Sequence, residues 1–315
     1  MMILFGLIST VIVPLILISW QAFSPEKNFM TWFLKSVANI SVFTVLYHIA
    51  NWAFVSYYLR YIYFILFVVA LIYSIHRIFR LPLIEIPNGK NWIPIIISLL
   101  MIFLAIPVLF QINKGKSIPA NPVNLQFPLN NGNYYIAQGG SHIILNGHMK
   151  VRNSSGHQWR GQTWALDILE LNNWGNRSMG LHPKQLTQYA IFGDSVLAPC
   201  NGNIVEVQND LPDHQPPNRD TVNMSGNYVI IQKNNHTFVL LAHLKKNSIV
   251  VNTGDRIHKN DFIGRIGNSG NSSEPHLHIN AQQSRGDKTI LDAEPLPILF
   301  NNQFLSRNDV ISTLD

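Results

Sequence analysis

A chain of 315 residues with a single cysteine, Cys200, cannot rest on internal disulfides, so any part of it in an oxidising compartment must be held by its core or by a metal. The formal net charge of +6 would suit nucleic acid or anionic lipid, but no Lys/Arg run interleaved with aromatics supports nucleic acid. Weak attraction to an anionic envelope polymer or lipid is what remains.

The two ends of the chain differ sharply. Residues 1–20, "MMILFGLISTVIVPLILISW", carry no charge and are about long enough to cross a bilayer at 1.5 Å per residue. A signal peptide is the rival reading. It lacks a basic segment ahead of the apolar core and a small-x-small cleavage site, and further apolar spans follow. Three more transmembrane helices are expected at about Phe33 to Tyr57, Tyr61 to Ile78 and Trp92 to Phe110.

Lys27 and Lys35 follow the first span and Arg77, Arg80 and Lys90 the third, whereas the intervening loop has only Arg60. Because Lys and Arg prefer the cytoplasm, everything after Phe110 is expected outside, with Lys114 and Lys116 weakly opposed. The expected organisation is a membrane region over 1–112, a linker over 113–132 rich in Pro, Asn and Gly, and an extracytoplasmic domain over 133–315.

After the linker come short alternating runs: "NYYIAQ", "WALDILEL", "SVLAP", "GNIVEVQ", "NYVIIQK", "HTFVLLAHL" and "HLHINAQ". Turn clusters separate them, so the expected class is α transmembrane helices followed by an all-β, antiparallel-sheet domain. Asn209 to Asn227 lacks apolar periodicity and is expected to be a surface loop. His48 and His76 lie in the apolar part; the remaining ten of the 12 histidines fall between His142 and His278.

Residues two apart in a strand share a face, so His276 and His278 project into one volume. Alone, that pair would be explained by a wet sheet face. Asp167 interrupts an apolar strand beside Trp164, Leu166 and Ile168, and a buried carboxylate needs a cation or hydrogen-bond partners. His243 alone would pass for a satisfied core histidine, and Cys200 for a small packed hydrophobe. Catalytic zinc takes three protein ligands and keeps one position open, which a carboxylate and two or three histidines on neighbouring strands would satisfy.

The region from about Tyr134 to Gln282 resembles the lysostaphin-type, or LytM-like, zinc endopeptidases of bacterial cell walls. The likeness is carried by "VLAPCNGNIVEV", "GNYVIIQ", "LLAHL" and "VNTGDRIHKNDFIGRIGNSGNSSEPHLHI". It implies one Zn2+, ligated by Asp167 and His278, with His243 and His276 catalytic. It further implies a peptidoglycan peptide as substrate and, given the apolar spans, a multi-pass protein of the bacterial cytoplasmic membrane whose C-terminal domain is extracytoplasmic.

One position departs from the pattern. The family's first histidine ligand stands four residues before the aspartate, where this chain has Thr163. Either the domain is degenerate and binds the wall or regulates another hydrolase, or another histidine arrives from upstream. His148, in an Asn-x-His element, is preferred to His157. Glu274 carries little weight as a base, since neighbours in a strand face opposite ways.

Overall fold

The computed structural model describes residues 2–79, 81–86, 88–151, 159–283 and 293–313, which form two compact units, Met1–Asn113 and Lys114–Asp315. In the first unit, α1 (Met2–Leu7) runs through a π turn at Ile8–Ile12 into α2 (Val13–Phe23), followed by α3 (Phe29–Ile49) and α4 (Leu59–Ile78). The last of these long helices, α5 (Trp92–Gly115), crosses the boundary between the units. Among the described residues, four helices are long and apolar enough to cross a membrane: Ile3–Phe23, Phe29–Ile49, Leu59–Ile78 and Gly89–Gly115.

The second is shorter than its apolar run suggests. Ala50 leaves helical geometry, and a single turn at Trp52–Phe54 folds back so that the buried Trp52 indole donates to the Tyr47 carbonyl at 3.2 Å. A polar cluster invisible in the hydropathy pattern pins α2, α3 and α4 together. Gln21 donates to Ser36 Oγ at 3.1 Å and Ser74 Oγ at 3.0 Å, while the Asn39 amide donates to Gln21 Oε1 at 3.0 Å. Buried side-chain hydrogen bonds of this kind hold helices together where no hydrophobic force separates helix from lipid.

The second unit is built on strands. A nine-stranded sheet has the order β13-β2-β3-β10-β7-β6-β5-β8, with β11 also paired to β10, and every pairing in it is antiparallel. Its strands are β2 (Asn133–Gln138), β3 (Leu166–Leu171), β5 (Gly202–Gln208), β6 (Asn227–Gln232), β7 (Thr237–Leu244), β8 (Arg256–Ile257), β10 (Leu277–Gln283), β11 (Glu294–Leu296) and β13 (Val310–Ser312). Two small pairs flank it: β4 (Ser195–Leu197) with β9 (Phe262–Arg265), and β1 (Val123–Leu125) parallel to β12 (Ile298–Phe300). The segment expected as a linker therefore contributes β1, and Leu125, Phe127 and Leu129 enter the core.

Strand alternation divides the sheet into two faces. Ile136, Leu166, Ile168, Val239, Leu241, Leu277 and Ile279 join one apolar cluster, each nearly inaccessible to solvent. The opposite face carries a smaller cluster of Ile230, Phe238, Leu240 and Ala242. By the period of two, Asp167 and His278 fall on that second face. The Asn209 to Asn227 stretch is a loop up to the start of β6, tied down where Asp213 Oδ1 accepts the Asn268 N–H at 2.7 Å.

Candidate metal centre

The site begins with strand register. Asp167 on β3 and His278 on β10 are direct partners, with His278 Nδ1 3.0 Å from Asp167 Oδ1. A bulge in β2 between Ile136 and Gln138 sets Gln138 beside Asp167 on the other flank. His148 arrives from the turn Gly147–Val151 and places Nε2 3.1 Å from the same Oδ1. His276, just before β10, stands with Nε2 3.5 Å from it.

His243 reaches this face through a backbone irregularity. Between β6 and β7 the register passes from Val229↔Leu241 to Asn227↔Leu244, so β7 holds one extra residue there. Without it, His243 would follow Val239 and Leu241 into the core; Leu244 takes that place instead. His243 adopts φ 61°, an unusual conformation for a residue with a side chain, and strain of this sort persists only where surroundings enforce it. Here its N–H donates to the Ser225 carbonyl at 3.1 Å and its carbonyl accepts from Gly267 N–H at 3.1 Å. A side chain at Gly226 would meet the Ser269 carbonyl carbon and oxygen at 2.4 and 2.5 Å, so the neighbouring backbone needs that glycine.

Hydrogen bonds fix the ring orientations. His243 Nδ1 lies 2.9 Å from the Ser269 carbonyl and His276 Nδ1 lies 2.8 Å from the Glu274 carbonyl. A carbonyl only accepts, so both Nδ1 atoms carry hydrogen and both neutral rings keep Nε2 as an acceptor. The Glu274 side chain faces the other way, to the buried Arg177, whose Nε donates to Glu274 Oε2 at 2.8 Å. Arg177 also donates to the Leu181 carbonyl at 2.9 Å. This ion pair anchors the residue whose backbone orients His276.

The electrostatics favour a cation. Burial pushes His243 well below its ordinary pKa, helped by the neighbouring His276 and His278. Burial likewise lowers His278, with the Asp167 hydrogen bond only partly offsetting it. For His148, burial again opposes the charged form, but the Asp167 carboxylate outweighs it and the pKa is raised. Burial alone would raise Asp167; the surrounding imidazoles instead hold it well below the carboxylate range. Two uncharged imidazoles, a third ring and an ionised carboxylate thus surround one point.

Ligand-type atoms of His148, Asp167 and His278 all lie within 4.8 Å of one another, as do those of His243, His276 and His278. Donors about 2.0–2.1 Å from a tetrahedral centre stand about 3.3 Å apart. The 3.1 and 3.0 Å separations of the first group match that spacing, and its N, O, N donor set suits zinc.

All five residues singled out by sequence, His148, Asp167, His243, His276 and His278, are brought together. His157 lies outside the described residues. Thr163 is fully buried and its hydroxyl donates to the Arg160 carbonyl at 2.7 Å, so its side chain is committed elsewhere. Sequence reasoning passes over Gln138, Arg307 and Ser269, because ordinary polar residues far apart in the chain give no local signal of shared work.

An antiparallel β unit that gathers four histidines and an aspartate on one sheet face has the make-up of a metallohydrolase domain. Residues 184–290 match the model of Peptidase family M23; the matched stretch holds His243, His276 and His278, while His148 and Asp167 precede it. An uncharacterized metalloprotease of Buchnera aphidicola subsp. Baizongia pistaciae is 46% identical over 54 residues, which span 17% of this chain and 14% of that relative's length. Similar solved structures include the catalytic domain of a prophage-encoded M23 protein from Enterococcus faecalis, 17% identical, covering 40% of this chain and 71% of that one, TM-score 0.27. The catalytic domain of the antimicrobial peptidase lysostaphin from Staphylococcus simulans is 20% identical, covering 40% and 78%, TM-score 0.25. A zinc containing peptidase from Vibrio cholerae is 17% identical, covering 42% and 50%, TM-score 0.25.

Proposed function

We propose that the chain is a membrane-anchored zinc metalloendopeptidase that hydrolyses peptide bonds of peptidoglycan. The observation that carries this reading is the meeting of His148, Asp167 and His278 at donor spacing suited to zinc, with His243 and His276 facing the same volume. His148, Asp167 and His278 are the ligands in this account; His243 and His276 act on the substrate. His148 beside Asp167 supports this reading over a degenerate, non-catalytic domain, for which Thr163 was the argument.

The chemistry that zinc supplies at such a site is polarisation of the scissile carbonyl and activation of a water near neutral pH. His243 is the proton acceptor: burial keeps its ring uncharged, and the Ser269 carbonyl holds the proton on Nδ1, leaving Nε2 bare. The proton taken up on His243 Nε2 is the one it returns to the leaving amine, and His276, oriented by the Glu274 carbonyl, donates to the developing oxyanion in its protonated form, from Nε2. Asp167 Oδ1 stands 3.1 Å from His148 Nε2 and 3.0 Å from His278 Nδ1, so the three donor atoms would share one metal ion.

The four apolar helices anchor residues 1–112 in the cytoplasmic membrane. The bias of Lys27, Lys35, Arg77, Arg80 and Lys90 to one side favours the wall side for the β unit, Lys114–Asp315. The test is incubation of the purified full chain with peptidoglycan sacculi, followed by assay of newly exposed amino groups, wild type against Asp167→Asn. Release by the wild type alone supports the reading; a zinc-loaded wild type that frees no amines from any wall preparation overturns it.

A further inference from the structure

His148 does not sit on a strand, and a ligand carried on a turn is only as well placed as the backbone beneath it. Two side chains, one nearby in sequence and one far away, hold that backbone. Arg307 donates from Nε to the Leu145 carbonyl at 3.2 Å and from Nη2 to Gln138 Oε1 at 2.9 Å. The same Gln138 Oε1 accepts the Gly147 N–H at 2.8 Å, and two donors on one atom identify it as the amide oxygen. Asn146, fully buried, adds a local clip: it donates to the Gly140 and Ala165 carbonyls at 3.2 and 3.0 Å and accepts the His148 N–H at 3.1 Å.

Arg307 comes from the segment leading into β13, which is itself laid along β2. Its backbone N–H donates to the Gly139 carbonyl at 3.3 Å, Asn308 N–H to the Ile136 carbonyl at 2.9 Å, and the Tyr135 hydroxyl bonds the Asn308 side chain. All of this lies beyond the 184–290 family match. The position where the family pattern expects a histidine holds Thr163, so a ligand brought from outside that pattern has support from outside it too.

We propose that Arg307 is the positioning residue of this replacement ligand. By joining the Leu145 carbonyl to Gln138 it fixes the 145–148 turn, so that His148 Nε2 meets Asp167 Oδ1. The inference rests on His148 being a zinc ligand. It is a claim about geometry, and lysine separates geometry from charge: Arg307→Lys keeps the cation but not the planar fork that reaches two acceptors at once.

The experiment is a zinc titration of the full chain in detergent, stripped of metal, against a competing chromophoric chelator. Arg307→Lys is expected to weaken zinc binding by about 10–100-fold, the usual effect of losing a group that orients a ligand. Gln138→Leu, which removes the shared acceptor and leaves the Leu145 bond, is expected to weaken it too. Gln138→Glu, which keeps an acceptor for both donors, should stay within about threefold of wild type. Thermal unfolding of the metal-free proteins should place Arg307→Lys close to wild type. Wild-type affinity in both Arg307→Lys and Gln138→Leu, with His148→Ala impaired, overturns the clamp and leaves the ligand reading standing. Wild-type affinity in His148→Ala overturns the ligand reading, and the clamp with it.

Discussion

His278 Nδ1 and Asp167 Oδ1 lie 3.0 Å apart because β10 and β3 pair these two residues directly. The contact is therefore set by sheet register, and slipping either strand by one residue would turn one partner into the core. Asp167→Asn keeps the shape and removes the charge. It is expected to lower zinc affinity by at least about 100-fold while leaving far-UV circular dichroism unchanged. Retention of stoichiometric zinc by this variant through dialysis would count against Asp167 as a ligand.

His243 is assigned to proton transfer, not to metal binding. Asparagine tolerates the left-handed backbone that the β7 bulge imposes at this position. His243→Asn should therefore fold, hold zinc as wild type does, and lose about 10²–10⁴ in kcat on wall peptide. Loss of zinc together with activity would move His243 into the ligand set.

Thr163→His restores the residue type of the family pattern without restoring its geometry. The site is fully buried and the threonine hydroxyl is bonded to the Arg160 carbonyl, so a ring there overpacks the turn at Arg160–Gln162. Chemical denaturation should show a loss of about 1–3 kcal/mol, with no gain in zinc affinity. Tighter zinc binding in this variant would show that position 163 still reaches the metal.

Much of this was legible in the chain itself. The runs "NYYIAQ" and "GNIVEVQ" coincide with β2 and β5, because short aromatic and β-branched runs bounded by turn residues are a strong strand signal. Two- and three-residue strands such as β1, β8 and β13 carry too few residues to show a period, and form only because β12, β5 and β2 accept them. His276 and His278 could be placed on one face by counting in twos, whereas Asp167 joins them only through the register of β3 on β10. His243 could not, since simple alternation sends it into the core and only the extra residue in β7 brings it out. The support of His148 by Arg307 spans more than half the chain, and no local pattern announces it.

Away from the metal site, Glu170 and Asp194 share a hydrogen bond on the core side of β3. Burial, then the Asp194 charge, pushes Glu170 from 4.5 up to about 7, and burial raises Asp194 from 3.8 to about 6. Raised carboxyl values mean that the folded state holds protons the unfolded chain has released. The pair's contribution is present below about pH 4 and is lost as pH climbs through 6 to 7. Glu170→Gln should accordingly be more stable than wild type at pH 8 by on the order of 1 kcal/mol, allowing for partial solvent screening, and no more stable at pH 4. Urea unfolding at the two pH values checks this, and an equal difference at both would contradict it.

The account turns on zinc held by His148, Asp167 and His278, and zinc-edge X-ray absorption of the full chain tests that most directly. Wild type should show two imidazole nitrogens and a carboxylate oxygen at about 2.0–2.2 Å, and His148→Ala should lose one imidazole from the shell or lose the metal altogether. A wild-type protein that takes up no zinc, or a His148→Ala spectrum identical to that of wild type, would contradict it.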